Sequence, residues 1–147
     1  MPPVSNVAAH TEPTTLRQVF PHWSITIPAA FAETIVEKDG YWHAWDAQRS
    51  VSLTSLLITD RRGRPVTSRR ILKRFPAELG DRVAMPADLD GWAVVTTQQQ
   101  PARASRAISG LIAMRGCVLI ATMTAEDLAW AAGVWHSIRG DPRSSEH

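Results

Sequence analysis

Histidine and tryptophan are neighbours at three places in this chain, His22-Trp23, Trp42-His43 and Trp135-His136. An imidazole beside a large π-face is chemistry that can bind or catalyse. In a strand, however, adjacent residues point to opposite faces, so neither His22 and Trp23 nor Trp42 and His43 share a pocket. The set Tyr41, His43 and Trp45 is a better constellation, because its period of two lines one strand face while Trp42, Ala44 and Asp46 line the other. If that face looks into a cleft between sheet and helix, Tyr41, His43, Trp45 and Trp92 would hold a small apolar or aromatic ligand, with His43 as the polar anchor. If it does not, the same residues form a half-exposed aromatic ladder. A general base would have to be His43 alone, since the sequence sets no carboxylate or hydroxyl beside it, and no catalytic residue is assigned.

Charge offers a second constellation. Arg61, Arg62, Arg64, Arg69, Arg70, Lys73 and Arg74 follow one another with no acidic residue between the first and the last. Without these seven cations the formal net charge of +2 becomes −5, so the chain is electrically two-sided. Ser68 is the expected N-cap of a helix whose apolar stripe is Ile71, Leu72 and Phe75, which leaves Arg69, Arg70, Lys73 and Arg74 projecting into solvent. Such a ridge is either an ordinary solvated face or a docking surface for an acidic protein. Nucleic acid is disfavoured, because no stacking aromatics are interleaved with the cations. Trp130, at the edge of a later helix, is a further candidate for a partner surface.

Other chemistry is poorly represented. Cys117 is the single cysteine and sits in an apolar run, as a small core residue would. His22, His43 and His136 lack ligand spacing, and His10 and His147 lie near the termini, so no metal site and no cofactor are expected. No stretch approaches the roughly 20 apolar residues of a membrane span, and no signal peptide is evident. The expectation is a cytoplasmic protein.

The elements that must position these residues read clearly in places. A strand is predicted over Val19 to Ile27, placing Trp23, Ile25 and Ile27 on one face and ending at Pro28. Thr34 to Glu37, the Asp39-Gly40 turn and Tyr41 to Ala47 form a hairpin. Ser50 to Thr59 reads as a central strand covered on both faces over its second half. Asp81 to Asp90 is loop. Trp92 to Thr97, Arg103 to Met114 and Cys117 to Met123 are strands, the last two joined through Arg115-Gly116. Thr124 is the expected N-cap of a helix from Ala125 to Ile138, with Leu128, Ala131, Ala132, Trp135 and Ile138 on its buried face. Residues 1–15 read as a disordered arm, 16–140 as one α+β domain and 141–147 as a flexible tail. The whole is a mostly antiparallel sheet of six or seven strands with two packed helices.

Trp23 to Pro28, Trp-Ser-Ile-Thr-Ile-Pro, and the closing strand and helix from Cys117 to Ile138, ending Ser137-Ile138-Arg139, resemble the PsbP-like superfamily over about a third of the chain. The resemblance implies an α/β/α sandwich. That group mixes photosystem accessory proteins, nuclear-transport cofactors and bacterial proteins, so it implies binding or scaffolding more than catalysis. Many of its bacterial members are exported or lipid-anchored, which the absence of a signal segment here does not match. The expected function is therefore a non-catalytic binding or interaction domain, adaptor or chaperone-like, with a protein partner or a second copy of itself. A small-molecule-binding protein is the alternative, and an enzyme using His43 the third reading.

Overall fold

A computed structural model of the chain describes residues 12–99 and 104–141. The outer arm and tail, with His10 and His147, and the 100–103 link lie outside the described residues. In chain order the strands are β1 (Thr14–Val19), β2 (Trp23–Pro28), β3 (Ala32–Val36), β4 (Tyr41–Trp45), β5 (Ser50–Leu57), β6 (Asp81–Arg82), β7 (Asp90–Gln99), β8 (Ala104–Met114), β9 (Cys117–Ala125) and β10 (Arg139–Gly140). Two α-helices interrupt them, α1 (Ser68–Arg74) and α2 (Leu128–His136). Seven strands form one antiparallel sheet in the order β3-β4-β5-β9-β8-β7-β6, and β1-β2-β10 form a second.

Alternation decides which face of the large sheet is closed. Trp42, Ala44, Val51, Leu53, Ile108, Leu119, Ala121 and Met123 are all buried on one side. Against them pack Trp23, Ile25 and Ile27 of the small sheet and Ala131, Val134 and Trp135 of α2. Helix α1 lies on the other side, where Ile71 joins Leu111, Ala113 and Val118 in a smaller cluster. The architecture is α+β, a helix on each face of an antiparallel sheet. No helix among the described residues is long and apolar enough to cross a membrane.

Trp135 sets the closest approach between layers. The neighbouring positions Ala121, Gly110 and Ala93 on β9, β8 and β7 carry small side chains or none, and a methyl placed on Gly110 would meet the Trp135 ring at 2.4 Å. The indole N–H then donates to the carbonyl of Ala84 at 3.0 Å, which ties the loop before β7 to the helix. A buried tryptophan thus keeps its one donor satisfied.

Several elements differ from the sequence expectation. The Val19–Ile27 strand is broken at Phe20–His22, where Phe20 takes the left-handed conformation (φ 59°) and Gln18 donates to the carbonyls of Phe20 and Pro21. Order begins before Leu16, because Thr14 and Thr15 pair with Pro28 and Ile27 on β2. Local composition could not report that pairing. The N-caps are Thr67, not Ser68, and Asp127, not Thr124; Asp127 Oδ1 accepts from the N–H groups of Ala129 and Trp130. β9 runs on to Ala125 because pairing with β5 and β8 captures the residues that could have opened the helix. The second half of β5 is not covered, with Leu56 38% and Leu57 72% exposed. Within Asp81 to Asp90 the first two residues pair with β7.

Gly110→Ala should lower stability by about 1–3 kcal/mol, because neither the β8 backbone nor the enclosed indole can yield freely. Gly133→Ala on α2, where nothing lies within 4 Å of the added methyl, should instead raise stability by up to roughly 1 kcal/mol. Urea unfolding of both variants measures the contrast, and equal effects would contradict the packing described.

Candidate functional site

Strand register carries the candidate residues to one face. Across the sheet Tyr41, Thr54, Ile120, Leu111 and Trp92 form one row, and His43, Ser52, Thr122 and Ser109 form the next. A third row is Trp45, Ser50, Thr124 and Ala107. All belong to the face opposite the main core. Tyr41, His43, Trp45 and Trp92 therefore do share a surface, but Trp92 stands four strands from Tyr41, roughly 19 Å at about 4.8 Å per strand. They do not enclose one pocket.

The β4 residues form a ladder. The His43 ring stacks on Trp45 with centroids 4.8 Å apart, and Tyr41 lies 6.3 Å from His43 on the other side. Rings in contact leave no slot for a flat ligand between them. Beside Trp45 a shallow concavity of about 320 Å³ is lined by His43, Asp46, Ser50, Thr124 and Glu126 among others. His43 makes no hydrogen bond to another described residue, so no acid partner orients it as a base.

The basic segment is divided by helical spacing. Arg70, Ile71, Arg74 and Phe75 lie on one side of α1, while Arg69 and Lys73 lie on another. With Arg61 and Arg62 of the preceding loop, Arg70 and Arg74 line a cleft of about 620 Å³. That loop is built rigidly. Asp60 Oδ1 accepts from the N–H groups of Arg62 (2.8 Å) and Arg64 (3.0 Å), Val66 N–H donates to Ile58, and Ile58 and Val66 are each bonded to Gly116. Gly116 has φ 76°, and a methyl there would meet Pro65 at 2.7 Å. None of the seven cations from Arg61 to Arg74 makes an ion pair with a described residue.

Arg49 is the opposite case. Its guanidinium is bonded to both Glu12 oxygens and to Asp46 Oδ2, and it lies 5.3 Å from the Phe31 ring centroid and 4.8 Å from that of Trp130. Trp130 is half-buried in this cluster, so much of its indole is already occupied within the chain. The Arg49 bond, against a smaller opposing effect of burial, holds the Glu12 carboxyl below the usual range. Burial pushes Asp46 up, but bonds from Arg49 and from the Gln48 and Arg49 amides outweigh it and hold that carboxyl low too. The sequence reading missed this cluster, whose only local signal is the Asp46-to-Arg49 spacing across the β4–β5 turn. Cys117 is buried, with its thiol pKa pushed up by desolvation against weaker contacts with Ser55 and Trp23. Among the described residues no group of three or more His, Cys, Asp or Glu is placed to hold a metal ion.

A helix-covered antiparallel sheet with one largely open face is thus the class of molecule. Among solved structures, a protein from Bacteroides thetaiotaomicron VPI-5482 shares this fold over 81% of the chain, with a TM-score of 0.58 and 10% identity. The chain spans 45% of that protein's length. Cyanobacterial PsbP (CyanoP) from Synechocystis sp. PCC 6803 is similar over 89% of this chain and 94% of its own, with a TM-score of 0.47 and 11% identity, a weak resemblance of the kind the sequence suggested. No family model and no curated protein matches the sequence. At these identities the likeness concerns fold alone.

Arg49→Met should cost roughly 2 kcal/mol of stability near neutral pH, from lost ring contacts and ion pairs that remain partly exposed. Glu12 and Asp46 have lowered pKa values, so their contribution is present above the ordinary values of 4.5 and 3.8 and is lost as pH falls through the lowered ones. The gap between wild type and variant should therefore narrow as pH is lowered below those ordinary values. A constant gap across thermal melts in that range would contradict the cluster.

Proposed function

We propose that this is a non-catalytic interaction domain that docks an acidic protein partner, in an adaptor or chaperone-like role in the cytoplasm. The observation that carries the reading is the cleft lined by Arg61, Arg62, Arg70 and Arg74, none of which forms an ion pair with a described residue. Guanidinium groups that are structural are normally matched, as Arg49 is; unmatched ones gathered in one concavity are suited to an external anion. The flat aromatic ladder supports the same direction, since an enclosed Tyr41-His43-Trp45 face would have favoured a small ligand. Arg69 and Lys73 lie outside the cleft and would contribute through the long-range field.

The test is native mass spectrometry of protein isolated gently from its own host. A second polypeptide is expected on the wild type and should be lost from an Arg61→Glu/Arg70→Glu/Arg74→Glu variant, while Tyr41→Ala retains it. These residues are exposed arginines, so the triple variant should melt with the wild type. An excess of only a few hundred daltons, released on denaturation, would replace this reading with a small-molecule one.

A further inference from the structure

Beside the arginine cleft lies a second depression of different chemistry. It has a volume of about 340 Å³ and is lined by Trp92, Leu111, Ile120 and Pro76, together with Arg74 and Phe75, which it shares with the cleft. The Trp92 indole N–H donates to the Phe75 carbonyl at 2.9 Å, so its one polar group is used and its ring is left for apolar contact. Ile120 is 37% exposed at the floor. Glu78 is the acidic residue on this rim, and Asp60 the one in the cleft, where its Oδ1 is held by two backbone N–H groups. A strongly cationic hollow and an apolar one thus meet at the Arg74-Phe75 ridge.

Resting on the interaction-domain reading, we propose that the partner presents an extended peptide in which two or more Asp or Glu residues adjoin a large apolar side chain. The carboxylates lie in the cleft, where planar guanidinium forks can each take one in bidentate fashion. The apolar side chain crosses the ridge into the Trp92-Ile120 hollow and supplies the anchor that charge alone lacks. A bare polyanion would fill only half of the site. A nucleic acid strand uses a succession of stacking platforms along a cationic groove, whereas here the cations do not alternate with rings and the hollow offers the single Trp92 indole. Charge complementarity and the shared ridge thus favour one continuous peptide.

The site is tested by selecting short random peptides on the full-length protein, with counter-selection on Arg70→Glu/Arg74→Glu. Enriched sequences should pair acidic residues with a neighbouring Leu, Met, Phe or Trp. In fluorescence anisotropy, changing the acids to amides, or the apolar residue to Ala, should each weaken the best peptide by about tenfold or more. Ile120→Thr, which keeps β-branching and adds no charge, should weaken binding in the same direction as the second loss, with a thermal melt confirming that the variant is folded, and an oligonucleotide of equal charge should not compete at equal concentration. Enrichment of acidic peptides indifferent to the apolar residue, competition by the oligonucleotide, or no enrichment over the variant would each overturn the proposal. If native mass spectrometry still finds a polypeptide lost on charge reversal, only this inference falls; if it finds none, the interaction reading falls with it.

Discussion

The contact on which the other layers depend is Trp135 seated on the backbone of β8 at Gly110. An indole needs a flat, side-chain-free floor to come this close to a sheet, and Ala93 and Ala121 flank the glycine on the adjoining strands. That choice of floor fixes which face of the large sheet receives α2 and the small sheet. The period of two then turns Ser52, Thr54, Ser109, Thr122 and Tyr41, His43 and Trp45 of β4 to the other side. The open face is therefore a consequence of the core and would reverse with a one-residue slip in register.

Helix α1 covers only part of that face. With seven residues and one fully buried side chain, Ile71, it has little packing energy of its own. Its position is secured from both ends. Thr67 caps it at the start, and after Phe75 the chain is held by the Trp92 bond. The preceding loop is bonded to the β8–β9 turn at Gly116. Arginines carried on so short a helix would otherwise be presented loosely, and the tethers convert a charged segment into a shaped cleft.

Much of this was legible from local pattern. The β4 alternation, the Asp39-Gly40 and Arg115-Gly116 turns and the amphipathic stripe of the last helix all encode structure within a few residues. What was not legible depends on distant partners. Thr14 and Thr15 are ordered by β2, β9 extends through Thr124 by pairing with β5, and Leu57 is exposed because nothing is delivered to cover it. The face of Tyr41, His43 and Trp45 was readable as a face, but whether it was roofed depended on where α1 landed. Sorting Arg70 and Arg74 from Arg69 and Lys73 likewise needed the loop that supplies the other wall.

Two treatments of arginine in one chain make the functional point sharper. Arg49 is matched by two carboxylates and two aromatic rings, and so spends its interactions on joining Glu12, the β4–β5 turn, Phe31 and α2. The cleft arginines have like charges for neighbours, and mutual repulsion there opposes the compact state. Asp60, the acidic residue lining the cleft, has its Oδ1 engaged by the backbone N–H groups of Arg62 and Arg64, while the carboxylates of Glu12, Glu33 and Asp46 pair elsewhere. An anionic ligand bound only by the folded chain would recover the difference as apparent stability. Under the proposed role, the cationic cleft is a destabilised feature whose partner completes the electrostatics that the chain leaves open.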